Sequence, residues 1–494
     1  MNTNYTFAME TIKAHWHKSV KTGIKKYSLL YQIIKACISD RTLPDNWVLP
    51  STRVLASELE LSRTTVIKAY ELLQLERLIE AKVGSGYKIT FNTHEEHSVK
   101  TEIDSQNYPE LSKRGKLFRD NYALLNRNKK EFVAFRPGLP PLDVFPVNQW
   151  KNLLNNYWRY IKSSSLSYAQ ASGDHALKES IKNYLYISRG VRCKSEQIVV
   201  SSGSLQSLYM ISNAILNEGD EVVLENPSFP NVHSIFKSLN TRLYPIDVDH
   251  EGLDISMLNK VTDSKPKIIH VTPSNHYPMG VKMTLNRRQD LIRYASEKGS
   301  IIIENDYEHE VANHNEKLPT LFSLDNENRT VYMGTFNRLL HPSIRLGFMV
   351  MPEYLIDVVN AIQEHSHRFV APSMQVVMNQ FIDKNYLYKH LKNIVRVAEK
   401  RHHLFLKAFD TINAMEIQQK TFGSLHAVAT FKTQVNSNRE KELIRELRQH
   451  KITAFPLSKC YITENSQSGL IFGYSAVNEI TLNKKLNLLK KIIP

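Results

Sequence analysis

Apolar and polar positions change rhythm twice along this chain of 494 residues. From about Tyr27 to Phe91 the spacing is helical at first. Leu30 to Ile38 form one stripe, and Ser51 is placed to cap a helix running through Glu58. Ser62 is placed to cap a second helix, with Val66, Ala69, Tyr70, Leu72 and Leu73 turned inward. Ile79–Lys82 and Tyr87–Thr90 then read as two strands reversed by Val83-Gly84-Ser85-Gly86. From Asn92 to Glu131 the chain is polar, carries both signs of charge and has no sustained period. That predicts an exposed linker with one short helix near Leu117 to Leu125. From Phe132 onward, short apolar runs alternate with amphipathic helical stretches. Gln197–Val200, Glu221–Glu225, Lys267–Val271, Ser300–Glu304 and Val331–Met333 have strand length. Strands separated by helices predict βαβ units and a doubly wound parallel sheet. The expected organisation is a front domain at 1–91, a linker at 92–131 and an α/β body at 132–494.

Composition adds limits. Cys37, Cys193 and Cys460 lie far apart, which fits buried thiols in a reducing compartment and no disulfide framework. No His/Cys/Asp/Glu group has metal-ligand spacing, so no metal is expected. No apolar run approaches the roughly 20 residues that span a bilayer, and Met1 to Lys26 has no signal-peptide core. The reading is a cytoplasmic protein. The net charge of +15 favours a polyanionic partner without locating it: residues 1–92 hold 13 Lys/Arg against 8 Asp/Glu, and the remainder 51 against 41.

The two capped helices of the front domain form a helix-turn-helix, and the second opens with Ser62-Arg63-Thr64-Thr65. A guanidinium pairs bidentately with guanine or phosphate, and hydroxyls serve either. Pro50-Ser51-x-Arg53, Leu55-Ala56, Ser62-Arg63-x-Thr65-Val66, Ala69-Tyr70-x-x-Leu73 and Gly84-Ser85-Gly86 resemble the winged helix of the GntR family of bacterial regulators. The resemblance covers roughly 65 residues. It implies that Arg53 and Arg63 contact double-stranded DNA, that Ser51, Ser62, Thr64 and Thr65 touch phosphates or base edges, and that Gly84, Ser85 and Gly86 sit at a minor groove. The chain departs from the family at Glu60 and Arg77, where glycine is usual.

Blocks of the body, in order, resemble a fold-type I aminotransferase over nearly all of 132–494. They include Phe135-Arg136-Pro137-Gly138, Gly173-Asp174-x-x-Leu177-Lys178, Ser201-Ser202-Gly203-Ser204-Leu205-Gln206, Glu225-Asn226-Pro227-Ser228-Phe229, Thr272-Pro273-Ser274-Asn275-His276-Tyr277-Pro278 and Ile303-Glu304-Asn305-Asp306-Tyr307. The Ser204 helix start offers backbone N–H groups to a phosphate. The resemblance implies a pyridoxal 5'-phosphate pocket in which Ser204, Leu205, Thr335 and Arg345 hold the phosphate, Phe229 stacks on the ring, and Asn305 and Tyr307 meet its edge. A body of this kind behind such a winged helix is similar to the MocR type of the GntR family.

The last block, Gly334-Thr335-Phe336-Asn337-Arg338, resembles the lysine loop of that fold with the lysine replaced. Schiff-base formation needs a neutral amine, and a guanidinium stays protonated at working pH. Asn305 stands where a carboxylate pairs the ring nitrogen, and an amide does not stabilise a charged ring equally. Leu470 to Tyr474 lacks the arginine that aminotransferases use for a substrate carboxylate. No catalytic residue is therefore assigned. Pyridoxal phosphate is expected to be non-covalent or absent, and His276 and His341 read as local hydrogen-bonding residues.

The resulting expectation is a transcriptional regulator whose body forms a homodimer and senses a small effector, such as a phosphate-bearing vitamer or an amino acid. Two alternatives stay open: an active pyridoxal-phosphate aminotransferase, and a regulator whose body is only a dimerisation scaffold.

Overall fold

The computed structural model describes residues 3–19, 24–82, 86–90, 108–125, 132–261, 265–312, 318–433, 435, 437–463 and 467–493. The chain forms two compact units, Met1–Pro109 and Glu110–Pro494.

In the first unit, helix α1 (Thr3–Ser19) precedes α2 (Lys26–Ser39), β1 (Val48–Leu49), α3 (Thr52–Glu58), α4 (Arg63–Leu75), β2 (Ile79–Lys82) and β3 (Gly86–Ile89). The strands pair antiparallel in the order β1-β3-β2, which makes the wing. Ser51 and Ser62 cap α3 and α4 as their spacing predicts, accepting from the Val54 and Thr65 amides. Val66, Ala69, Tyr70 and Leu73 are buried, whereas Leu72, expected inward, is only half-buried. Gly84 and Ser85 lie outside the described residues.

Helix α1 is absent from the sequence-based reading. Its stripe of Ala8, Ile12 and Trp16 at four-residue spacing joins the core built by Leu30, Ile34 and Tyr70. His, Lys and Thr between these positions mask the period. Lys13 pairs with Glu58 at 2.6 Å.

The second unit begins inside the stretch expected as linker. Helix α5 (Lys113–Asn121) packs on α9 (Pro230–Ser238), Phe118 meets Tyr209 at 6.2 Å between ring centroids, and Lys113 pairs with Glu218. Its polarity follows from docking by one edge only. After α6 (Val147–Tyr160), α7 (His175–Arg189) and α8 (Ser204–Ile215), the main sheet comprises β4 (Ile198–Ser201), β5 (Glu221–Asn226), β6 (Arg242–Asp249), β7 (Gly252–Leu253), β8 (Ile268–Val271), β9 (Ile301–Asn305), β10 (Thr330–Thr335) and β11 (Gly347–Val350). Their order is β4-β11-β10-β9-β8-β5-β6-β7. The central strands are parallel, as predicted, but β11 runs antiparallel to both neighbours and β7 antiparallel to β6. The sheet is mixed. Side chains alternate across it: Val331 and Met333 enter one core layer and Tyr332 the other.

A second, antiparallel sheet was not anticipated. It contains β12 (Met415–Ile417), β13 (Ala427–Phe431), β14 (Phe455–Pro456) and β15 (Gly469–Phe472) in the order β12-β13-β15-β14. Its core is shared with the helices Tyr386–Phe409, Ser437–Gln449 and Glu479–Ile492. Among the described residues no helix is long and apolar enough to cross a membrane, and no cluster of metal-ligating side chains occurs.

The two departures from glycine in the first unit carry backbone strain. Glu60 has φ 52° and Arg77 φ 55°, both left-handed. Glu60→Gly and Arg77→Gly are each expected to stabilise this unit by about 0.5–1 kcal/mol, read from the denaturant midpoint of its unfolding. Midpoints that fall would show that these side chains hold more than their backbone loses.

In the second unit, burial pushes the imidazoles of His270 and His276 down to about 4 and that of His233 down to about 3. The native state keeps them neutral, while the unfolded chain protonates them near 6.5. Their contribution is therefore full above pH 6.5 and is lost as pH falls towards 4. Both ring nitrogens of His270 are buried without a partner. His270→Leu is expected to leave stability at pH 7.5 equal or higher and to lower the acid slope by about 1.4 kcal/mol per pH unit between 6 and 4.5. Urea melts across this range give the slope directly.

Candidate functional site

Strands β4, β5, β8, β9 and β10 all end on one edge of the main sheet, and the loops that leave them enclose a cleft. Such an edge is where open α/β sheets commonly bind ligands. The cleft has a volume of about 190 Å³. Of the residues singled out from the sequence, Ser204, Leu205, Phe229, Thr335 and Arg345 line it, whereas Asn305 and Tyr307 are not part of its lining.

The anion-facing end is built first by glycine. Gly203, at φ 129°, precedes the first turn of α8, and a Cβ there would lie 2.6 Å from Nδ2 of Asn337. The missing side chain lets the Asn337 loop close over the start of the helix. The 12 residues of α8 point their first N–H groups at the cleft. Arg345 is left-handed at φ 51°, and no carboxylate lies within ion-pair distance of it among the described residues.

Phe229 caps α9 and meets Tyr277 edge-on at 5.1 Å, leaving one face towards the cleft. The hydroxyls of Tyr277 and Tyr307 and the side-chain oxygens of Asn231 and Asn305 are buried with no hydrogen-bond partner. Such groups cost about 1–3 kcal/mol each when left unsatisfied. Tyr277 and Asn231 stand in the cleft wall itself, and together the four mark a place for a polar ligand.

Arg338 forms the floor. Its Nη1 donates to Oε1 of buried Glu308 at 3.5 Å, and its guanidinium lies 5.6 Å from the centre of the Tyr307 ring. A Cβ on Gly138, at φ 80°, would stand 1.9 Å from that Nη1, so this position admits the arginine only as glycine. Sequence reasoning missed Glu308. Its burial comes from Leu425 and Ser424, more than a hundred residues away, whose backbone amide and hydroxyl donate to Oε2. It also missed that Arg136, Tyr277 and Asn337 line the cleft, although all three stand inside the motifs that were singled out.

Asp306, next to Asn305, is committed elsewhere. Burial works to raise its carboxyl, but the Arg189 guanidinium at 2.7 Å, His309 and the hydroxyls of Ser274 and Tyr332 together hold it well below the usual carboxylate range. Tyr332 donates to the same oxygen at 2.7 Å. The histidines behave as local partners: His276 Nε2 meets the Pro227 carbonyl oxygen at 2.8 Å, and His341 Nδ1 meets Ser343 Oγ at 2.7 Å.

In the first unit, Ser51, Arg53, Ser62, Arg63 and Thr64 are exposed at the starts of α3 and α4, and Thr65 is half-buried. The Ser62 hydroxyl meets those of Thr64 and Thr65 at 2.9 and 2.7 Å while capping the helix. Neither Arg53 nor Arg63 has an ion-pair partner among the described residues. Gly86, at φ 80°, opens β3 at the tip of the wing.

Fold and cleft together define a class of protein: a winged helix-turn-helix joined to the body of a fold-type I aminotransferase. The chain belongs to the class I and II aminotransferase family, whose model matches residues 140–470, and its residues 26–89 match the bacterial regulatory proteins of the gntR family. It is 29% identical over 463 residues to the probable rhizopine catabolism regulatory protein MocR of Rhizobium meliloti, covering 93% of this chain and 92% of that one. It is 25% identical over 286 residues to aromatic-amino-acid aminotransferase 1 of Thermococcus litoralis, covering 57% and 69%. Among solved structures it resembles the kynurenine aminotransferase of Pyrococcus horikoshii at a TM-score of 0.66 and 23% identity, covering 80% of this chain and 96% of that one. For the α-aminoadipate aminotransferase LysN of Thermus thermophilus the values are 0.68, 20%, 76% and 96%.

Removing one partner of the fully buried Arg189–Asp306 pair strands a charge. Asp306→Asn is expected to cost about 3–5 kcal/mol in a denaturant melt of the second unit. A loss under 1 kcal/mol would mean that the pair does not anchor the end of β9.

Proposed function

We propose that this chain is a cytoplasmic DNA-binding transcriptional regulator of the MocR type, whose aminotransferase-like body pairs with a second copy and senses a small ligand without catalysis. The observation that carries the reading is Arg338 in the floor of the cleft, where a working enzyme of this fold needs a primary amine. A permanently protonated guanidinium cannot supply the free electron pair for imine formation.

The donor set fits only part of pyridoxal phosphate. Ser204, Thr335, Arg345 and the start of α8 suit its phosphate, and Phe229 suits its ring. Arg338 and Asn305 do not suit its chemistry, because neither the amine nor the ring-nitrogen carboxylate is present. A cofactor taken up here would be held without a covalent bond. Pairing of two bodies is supported by large apolar side chains left open on and after α6, with Trp158 56%, Leu166 64% and Tyr168 78% exposed.

At the DNA end, Arg53 and Arg63 stand unpaired at the starts of two capped helices, where the helix dipoles favour phosphate. Ser51 and Ser62 serve first as caps, so their contacts to DNA are secondary to shaping the helix ends.

Binding of the full chain to the promoter region beside its own gene should weaken steeply with added salt. Arg63→Ala should cost about 1–3 kcal/mol there. Unchanged operator affinity in that variant would remove α4 from the recognition role. The aminotransferase reading makes the opposite forecast for the body: after borohydride treatment with pyridoxal phosphate, a chromophore fixed to the protein, together with turnover of an amino donor, would replace the present proposal.

A further inference from the structure

We propose that the cleft is a receptor for a small molecule with two anionic groups: a phosphate monoester seated at Arg345 and the start of α8, whose second anionic group is a carboxylate gripped by Arg338. This rests on the reading of the body as a ligand sensor and names the chemistry that it senses.

Arg338 is weakly engaged. Its one hydrogen bond among the described residues is the 3.5 Å contact to Glu308. Arginines committed to structure in this chain behave differently: Arg401 makes a two-point contact with Asp143 at 2.9 and 2.7 Å, and Arg189 meets Asp306 at 2.7 Å. Charge-assisted pairs ordinarily fall in that shorter range. Glu308 does not depend on Arg338, since its other oxygen accepts from the Leu425 amide at 3.1 Å and the Ser424 hydroxyl at 3.3 Å. The remaining N–H groups of Arg338 are thus available to an incoming acceptor, and its side chain is still 22% exposed.

The cleft is lined by three guanidiniums, Arg136, Arg338 and Arg345, and by no carboxylate. Glu308 stands behind Arg338, and Arg345 has no carboxylate within ion-pair distance among the described residues. Independently of charge, the Tyr277 hydroxyl is buried without a partner at the cleft wall, in a residue only 3% exposed. Size restricts the ligand further. About 190 Å³ corresponds to roughly six water volumes, which is below the range of sites that take drug-sized molecules. A phosphorylated small carboxylic acid fits this space.

Isothermal titration of the full chain with glycerol 3-phosphate and with 3-phosphoglycerate tests this, because the two differ at the carboxylate. The wild-type protein should prefer 3-phosphoglycerate by about tenfold or more, the ratio that one charge-assisted hydrogen bond brings. Arg338→Gln should abolish that preference, so that the two esters bind this variant equally, and measurable glycerol 3-phosphate binding shows the cleft intact. Arg345→Gln should weaken both ligands. Equal affinity of the wild type for the two esters, or a preference that survives Arg338→Gln, overturns the assignment and leaves phosphate sensing standing. Failure of either ester and of inorganic phosphate to bind overturns the sensor reading as well. If Arg338→Gln loses both ligands, Arg338→Lys decides. That variant keeps the charge without the planar fork, so a reduced preference supports the proposal and an unchanged one defeats it.

Discussion

The buried pairing of Arg189 with Asp306 fixes the geometry on which the cleft depends. Both side chains are sealed from water, and the Tyr332 hydroxyl donates to the same carboxylate oxygen as Arg189. Two residues earlier, within β9, Glu304 accepts from the Leu321 and Phe322 amides and lies 3.9 Å from Arg288. β9 is therefore nailed down on the body side, and its end cannot rotate to exchange Asp306 for Asn305. The next two residues inherit that constraint. Tyr307 and left-handed Glu308 are delivered beside the cleft at fixed positions, and Arg338 has its loose counter-ion because of it.

The same constraint separates two parts of the site that are built in different ways. The phosphate-facing end is made of backbone: the start of α8, the absent side chain at Gly203 and the left-handed turn at Arg345. Those features follow from the sheet and survive changes in chemistry. The floor is made of a side chain, the guanidinium of Arg338. Scaffold and side-chain chemistry are thus set by different parts of this chain.

Much of this was legible in the residues, for physical reasons. Helix caps at Ser51 and Ser62 are local events, set by three or four neighbours, and the structure reproduces them. Parallel strands of four to six apolar residues announce themselves because both faces are buried. The antiparallel direction of β11 was not legible, since pairing direction is a tertiary property of a strand that reads like its neighbours. Helix α1 was hidden because only one residue in four faces inward. Glu308 could not be found at all. An acidic residue between Tyr307 and His309 looks solvated until the segment near Leu425 folds over it. Placing Leu72 inward was an error of about one helical position at the edge of an apolar stripe.

Helix α5, at the start of the second unit, rests on α9, whose first turn carries Phe229 and Asn231 into the cleft wall. Downstream, the segment from Phe132 to Gly138 supplies Arg136 and the glycine pressed against Arg338. Phe135 then bridges to Gly473 beside the second sheet. Two segments far apart in sequence thus share one cavity, so a guest seated there meets both the support of α5 and the segment that joins the second sheet.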